Sequence, residues 1–380
     1  MGKKKRKYEL IELTPRHYIL AVWIVVVWCF QLIPGAGEWY ARNLYPTIGD
    51  ALSTVTSNIR YSVSDVWYIM LLCVFFIYPF GAILFFNYKK KRVAIVLVET
   101  ILWLYVWFYS AWGLNYWQDN FYQRTGTRYV EYAPNTLGAY VSHYIYELND
   151  AYVDVQEISE ELVEQEVLKG YAAIYKETGL NEPFVDNPQV KTMLFSRLAS
   201  MVALTGSMGP FFGEFTMNAE VLPVDYPAIY AHELSHLYGI TNEGEANFYA
   251  YLVCTRSQVP AIRFSGLLSV FSHLLYNVRS MMGESSYAYM LSQVRPEIRR
   301  LVEYRQTYWR ERYSPLLGSM QDWLYDFYLR SHRVEGGRKN YSQVVALLIA
   351  WDHRKENPAF PLSLNAPSDA PSANDESAGS

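Results

Sequence analysis

The sequence predicts a mainly α-helical membrane protein, with three N-terminal transmembrane helices followed by a mostly helical α+β domain that contains a small sheet. Three observations support this fold class. Apolar runs dominate the first 112 residues, most of the remainder has helical periodicity, and one segment alternates between apolar and polar residues. Aromatic residues make up 17% of the 380 residues, which suits a protein with long membrane interfaces, where Trp and Tyr concentrate.

The three apolar runs cover about 18–34, 67–86 and 93–112. The second and third are each near the ~20 residues that a helix needs to cross a bilayer. The first run could instead be the apolar part of a cleavable signal peptide. It lacks a clear small-residue cleavage site, and two further runs follow, so we interpret it as a membrane anchor.

The distribution of basic residues predicts the orientation of these helices. The N-terminal segment 1–17 contains six Lys and Arg residues, the segment 35–66 contains two, and the short loop 87–92 contains four. Because Lys and Arg are enriched on the cytoplasmic side, the N-terminus and the second loop are predicted to be cytoplasmic. Everything after the third span is then extracytoplasmic.

Residues 113–360 are predicted to form this extracytoplasmic domain, and the tail 361–380, rich in Pro, Ser, Ala and Asp, is predicted to be disordered. The net charge of −4 gives no basic field, so nucleic acid is not expected as a partner. The three cysteines have no paired spacing, so neither a disulfide framework nor a cysteine metal site is expected.

The domain is predicted to be mostly helical, with one strand. Predicted helices cover about 137–152, 157–178, 189–203, 243–256, 260–280, 284–313, 315–331 and 341–351. Within 212–222, Phe215 and Met217 alternate with polar residues, as in a half-buried strand. This strand could pair with an extended substrate, or it could be an ordinary member of a sheet.

The run His232-Glu233-Leu-Ser-His236 predicts a zinc site. On a helix, residues i and i+4 share one face, so both imidazoles can hold one zinc ion. Glu233 is rotated by about 100° from His232 and can reach a water as general base without being a ligand. Asp225 is the expected N-cap of this helix, and Gly239 the residue that ends it. These boundaries favour a zinc site over a chance match.

A catalytic zinc needs a third protein ligand and an open position. Asn242 stands where one class of these sites has a third histidine, but a neutral amide is a poor zinc ligand. Glu243 is favoured, as the first residue of the next helix. Glu245 stays open as an alternative, although it has capping-box spacing from Asn242. Asn247 could hydrogen-bond a metal ligand. Stabilisation of the oxyanion could come from Tyr341, His273 or His332, each of which is more often structural.

The run from His232 to Phe248 resembles an uncharacterised family of bacterial multi-pass membrane proteins with a predicted zincin-like domain. Residues 112–116, 209–214 and 340–342 are similar to that family as well. The Glu-x-Glu-Ala-Asn run also resembles the gluzincin metallopeptidases, in which a Glu ligand is followed four residues later by Asp or Asn. This resemblance implies Glu243 as ligand and Asn247 beside it, although the six-residue gap after His236 is shorter than the usual gluzincin layout.

Motif and resemblance together predict a zinc-dependent metallopeptidase in the bacterial cell membrane, with Zn²⁺ as cofactor and a peptide or protein as substrate. The alternative is an inactive membrane-anchored sensor or scaffold that binds peptide or zinc. An inactive site could have lost Glu233, so the intact motif argues against it. An intramembrane protease is disfavoured because polar residues flank the motif. The sequence predicts neither the substrate nor the oligomeric state.

Overall fold

The computed structural model describes residues 14–185, 188, 190–319 and 339–356. Within them the chain is mostly helical, with a small three-stranded sheet and three helices near the N-terminus that are long and apolar enough to cross a membrane. This confirms the predicted fold class. The predicted disordered tail 361–380, the lysines before residue 14 and His332 lie outside the described residues.

The candidate membrane spans are Pro15–Leu32 (α1), Val63–Leu84 and Lys90–Ala111 (α6). The middle span consists of α4 (Val63–Leu72), a π-helical turn and α5 (Tyr78–Leu84). Pro79 follows the π-helical turn, consistent with a residue that cannot donate a backbone hydrogen bond. No more than 17% of each span is buried within the protein, which fits helices surrounded by lipid.

The segment between the first two spans folds against the domain. It consists of α2 (Ala36–Trp39), a π-helical turn and α3 (Tyr45–Ser57). Tyr45 is buried, and its hydroxyl donates to the Leu237 carbonyl at 2.6 Å. Tyr45 also belongs to an apolar cluster that joins membrane spans to the chain that follows them, with Val27, Tyr40, Tyr109, Trp112 and Leu114. This small cluster, which is separate from the main core of the domain, packs two of the candidate spans against the segments that flank them.

The rest of the domain is built on helices. In chain order they are a 3₁₀ turn (Gly113–Trp117), α7 (Phe121–Thr125), α8 (Pro134–Asp150), α9 (Glu160–Thr178), α10 (Ser196–Ser200), α11 (Tyr226–Leu237), α12 (Glu243–Thr255), α13 (Pro260–Ser292), α14 (Pro296–Arg312) and α15 (Lys339–Glu356). α11, α12 and α13 pack on one another, and α8 and α15 lie against them. α13 is interrupted at Gly283, where φ is +82°.

The sheet has the order β1-β3-β2. β1 (Lys191–Thr192) runs parallel to β3 (Glu214–Met217), and β2 (Gly206–Gly209) runs antiparallel to β3, with Gly206 opposite Met217 and Gly209 opposite Glu214. The predicted helix 189–203 is wrong over its first part, since β1 lies there and only the short α10 follows.

The predicted strand 212–222 is the shorter β3, and its expected role changes. All four of its residues are buried, because both faces are covered, and β1 and β2 occupy its two edges. β3 therefore has no edge for an added strand. Among the described strands, β2 lies beside α11 and has one edge that no other strand occupies. A substrate could pair with that edge.

Candidate metal centre

The His-Glu-x-x-His run lies on α11, the helix that extends from Tyr226 to Leu237. Asp225 is its N-cap residue, as predicted, although its side chain makes no capping hydrogen bond. Its carboxylate instead pairs with Arg305 of α14, at 2.5 Å from a guanidinium nitrogen. At the other end Gly239 has φ +93°, as predicted for a helix-ending glycine. A Cβ there would lie 3.0 Å from the Tyr45 ring, so the space beside this glycine is tight as well.

The turn after Gly239 brings α12 back toward α11. Asn242 caps α12, and its side-chain oxygen accepts from the Glu245 N–H at 2.9 Å. Glu243 is consequently the first residue of α12, where its side chain can point at α11. Its Oε2 lies 3.2 Å from His232 Nε2 and 3.7 Å from His236 Nε2.

The three side chains His232, His236 and Glu243 form one cluster of potential metal ligands. Their ligand atoms all lie within 4.8 Å of one another, and the two Nε2 atoms are 3.1 Å apart. In a tetrahedral zinc site with bonds of about 2.0–2.1 Å, ligand atoms lie roughly 3.3 Å from one another. The observed separations are close to that value, so the cluster fits a zinc ion.

The second nitrogen of each imidazole is held by a different partner. His236 Nδ1 lies 2.6 Å from the Ile240 carbonyl oxygen, and His232 Nδ1 lies 3.0 Å from Asn247 Oδ1. An oxygen acceptor at Nδ1 favours the tautomer with its proton there, which leaves the Nε2 lone pair for a metal. Asn247 thus lies beside His232, one of the candidate metal ligands.

Charges within the cluster stabilise one another. Burial lowers the pKa of His236, but the carboxylate of Glu243 outweighs this effect and raises it to about 9. Burial raises the pKa of Glu243, yet the imidazoles opposite it hold that pKa well below its usual value. These charges keep Glu243 ionised and favour a proton on His236, which a metal ion would displace on binding to Nε2.

Glu233 lies on the same helix but outside the ligand cluster, and it contacts β2. It is buried, which raises the pKa of its carboxyl, and the Met208 N–H donates to it. A Cβ at Gly206 would lie 2.6 Å from Glu233 Oε1. No motif in the sequence pointed to Gly206, although a glycine inside a strand signals close approach of another group.

Glu245 has a different environment from Glu243. It forms a buried ion pair with Arg124, and its Oε1 accepts from the Phe121 N–H at 2.8 Å. Only its backbone N–H takes part in the cap, so the predicted capping box is incomplete. The carboxylate fastens α12 to α7 and lies outside the metal cluster.

Of the three predicted oxyanion donors, the structure describes the side chain of His273 alone. It lies on α13, half-buried; burial, together with the nearby charge of His232, lowers its pKa to about 4. His273 therefore lies near the cluster as a neutral imidazole. The side chain of Tyr341, like all of His332, lies outside the described residues.

Fold and site together define a class: a helical protein with candidate membrane spans and a cluster of two histidines and one glutamate suited to a metal. The chain belongs to the family described as protein of unknown function (DUF3810), which it matches over residues 40–349. This confirms the resemblance to an uncharacterised family. No curated protein sequence and no solved structure is significantly similar to the chain.

Proposed function

We propose that this protein is a membrane-anchored, zinc-dependent metallopeptidase. The observation that carries the proposal is the convergence of His232, His236 and Glu243, whose ligand atoms are 3.1–3.7 Å apart. Beside them lies Glu233, a buried carboxylate on α11, the helix of the two histidines, that is not part of the cluster. This combination supports hydrolysis, since it separates the groups that hold the metal from the group that moves protons.

The proposed mechanism divides the work among these residues. When bound, zinc would acidify a water and polarise the carbonyl of a peptide bond. Glu233 takes the proton from the attacking water and delivers it to the leaving amine. Its raised pKa suits this role, because a general base works best when its pKa is near the working pH. The Met208 N–H holds the carboxylate in place.

The substrate is proposed to bind as an extended peptide along β2. β3 occupies one edge of β2, and at its other side β2 contacts Glu233 through Gly206 and Met208. A peptide that adds to this strand would be held by backbone hydrogen bonds next to the general base. The sequence suggested that the strand at 212–222 could pair in this way or be an ordinary member of a sheet, and the sheet order moves the proposed pairing to β2.

Digestion of an unbiased peptide library tests the proposal. Wild-type protein loaded with zinc should cleave a subset of peptides that Glu233→Gln leaves intact. The alternative function, a sensor or scaffold that binds zinc or peptide without cleaving it, predicts binding by both proteins and cleavage by neither. The close fit of Gly206 and Met208 around Glu233 favours hydrolysis.

Gly206→Ala should reduce hydrolysis without removing zinc. The added Cβ would lie 2.6 Å from Glu233 and displace its carboxylate, and a misplacement of about 1 Å can cost roughly 100-fold in rate. The measurement is kcat/KM beside metal content. Gly81→Ala is the matched control, because nothing lies within 4 Å of a Cβ at that position. Equal activity of both variants and wild type would show that β2 does not constrain Glu233.

We also propose that the N-terminus is cytoplasmic and the domain extracytoplasmic, based on the basic residues before the first span and between the second and third. A cysteine introduced at exposed Lys169 should react with a membrane-impermeant thiol reagent on intact cells. The starting protein would have Cys29, Cys73 and Cys254 replaced. Reaction only after lysis would reverse the orientation.

A further inference from the structure

We propose that the substrate is a membrane-anchored polypeptide, cleaved in an extended segment within a few residues of the point where it leaves the bilayer. This inference rests on the proposed function and adds the class of substrate. It comes from the way in which the sheet and α11 are attached to the ends of the membrane spans.

The end of the sheet where β2 meets β3 is joined to the first turn of the second span. Glu214, the first residue of β3, accepts from the Ser64 N–H at 2.7 Å and forms a buried ion pair with Lys191. Ser64 is the second residue of the span. A Cβ at Gly209, the last residue of β2, would overlap the Ser64 hydroxyl. β2 therefore runs toward the first turn of the second candidate span and ends beside it.

The turn that connects β2 to β3 lies beside the spans themselves. Phe211 packs on Trp67 of the second span and Phe108 of the third, with ring centroids 6.5 and 6.0 Å apart. The indole N–H of Trp107 donates to the Phe211 carbonyl at 2.9 Å. Trp107 precedes the last residue of its span, Ala111, by about one helical turn, or roughly 6 Å. The turn thus reaches the depth of the outermost helical turn of the span.

The metal-binding helix is attached to the same membrane surface. Trp112 directly follows the third span, and its indole N–H donates to the carbonyl of His236 at 2.9 Å. Tyr45 holds the next carbonyl, that of Leu237. One tryptophan side chain therefore separates the end of a span from the backbone of a proposed metal ligand.

An exposed apolar surface lies at the other side of the sheet, next to the same span. Leu194, Phe195 and Leu198 are 43%, 52% and 55% exposed. The Leu194 N–H donates to Asp65 in the first turn of the second span, at 2.9 Å. Large apolar side chains at the level where a span begins are suited to the bilayer interface. We assign this surface to contact with lipid, which would hold the sheet against the membrane.

The spacing along β2 sets the distance between catalysis and membrane. Gly206 contacts Glu233 and Gly209 contacts Ser64, and these glycines are three strand residues, or about 10 Å, apart. A peptide extended along β2 would reach the level of Ser64 about three residues from the bond that is cut. With the second span in a bilayer, lipid would block this end of β2 for a long soluble chain, whereas a chain that itself enters the bilayer there would fit.

Vesicles that contain wild-type protein and anchored substrates test this inference. One cleavable sequence from the library is joined to a transmembrane helix through linkers of about 2, 5, 10 and 20 residues. At about 3.3 Å per extended residue, these linkers place the cleavage site at increasing distances from the bilayer. The same peptide without an anchor is supplied at equal total concentration. We expect the highest rate at the linker of about five residues. The longest linker and the free peptide should be slower by about tenfold or more, since anchoring raises the effective concentration of a correctly spaced site.

A triple variant separates membrane placement from chemistry. Replacing Leu194, Phe195 and Leu198 by serine should slow cleavage of the anchored substrate several-fold and leave hydrolysis of the free peptide in detergent unchanged. Rates that are independent of linker length and anchor, or an unaltered triple variant, would overturn the inference while Glu233-dependent cleavage of free peptides would still support the proposed function. If neither format is cleaved in a Glu233-dependent way, both fail.

Discussion

Substitution of His232 by alanine is expected to abolish stoichiometric zinc binding, whereas Glu233→Gln should retain zinc and lose hydrolysis. His232 supplies one of the three clustered ligand atoms, and its loss leaves two. Even the loss of a residue that only supports a ligand weakens metal binding by about 10–100-fold, so removal of a ligand should cost more. Glu233 contributes no atom to the cluster, and loss of a general base costs about 10²–10⁴ in rate.

Metal analysis of purified protein, zinc competition titration and peptide hydrolysis together test this prediction. His143→Ala is a matched control, because that imidazole is exposed on α8 and pairs with Glu147. It should bind zinc and cleave peptides like wild type. Equal zinc content in His232→Ala and wild type would refute the metal site. Hydrolysis by Glu233→Gln at the wild-type rate would refute the role of Glu233 alone.

Glu243→Gln is expected to lose zinc affinity and Glu245→Gln to lose stability, although the two residues are only two positions apart. Glu243→Gln should weaken zinc binding by more than about 100-fold, because an amide replaces a carboxylate among the ligands. Glu245→Gln should leave zinc affinity close to wild type and destabilise the fold. It removes the charge that compensates Arg124, whose side chain is 2% exposed, and an uncompensated buried charge costs about 3–5 kcal/mol.

Thermal unfolding in detergent and zinc titration separate these two effects. Glu177→Gln is the control for stability, since Glu177 pairs with Arg256 at the surface and exposed pairs contribute about 0–1 kcal/mol. A larger loss of zinc affinity in Glu245→Gln than in Glu243→Gln would move the third ligand to Glu245. A loss of stability no larger than that of the Glu177 variant would show that the Arg124 pair does not hold α12 in place.

Local patterns in the chain were enough to predict the spans, most of the helices and the central motif. His232 and His236 share a face by helical geometry, and Gly239 ends the helix by its positive φ. Both features depend only on residues close in sequence. The helix predicted at 189–203 was wrong over its first part, because β1 pairs with β3 there. The strand predicted at 212–222 exists but is shorter, and it is buried on both faces rather than on one, because helices and strands from elsewhere in the chain cover it.

The sequence by itself determined three candidate membrane spans, a His-Glu-x-x-His helix and a nearby carboxylate suited to a third ligand position. Only the tertiary structure decided which groups surround that helix. Glu245 forms an ion pair with Arg124 and so lies outside the metal cluster. Gly206 lies against Glu233, and the Trp112 side chain donates a hydrogen bond to the His236 carbonyl from the end of a span. Arg124 and Trp112 are each more than 100 residues from their partners. Periodicity and capping report on neighbours in the chain, whereas these contacts arise from the packing of distant segments.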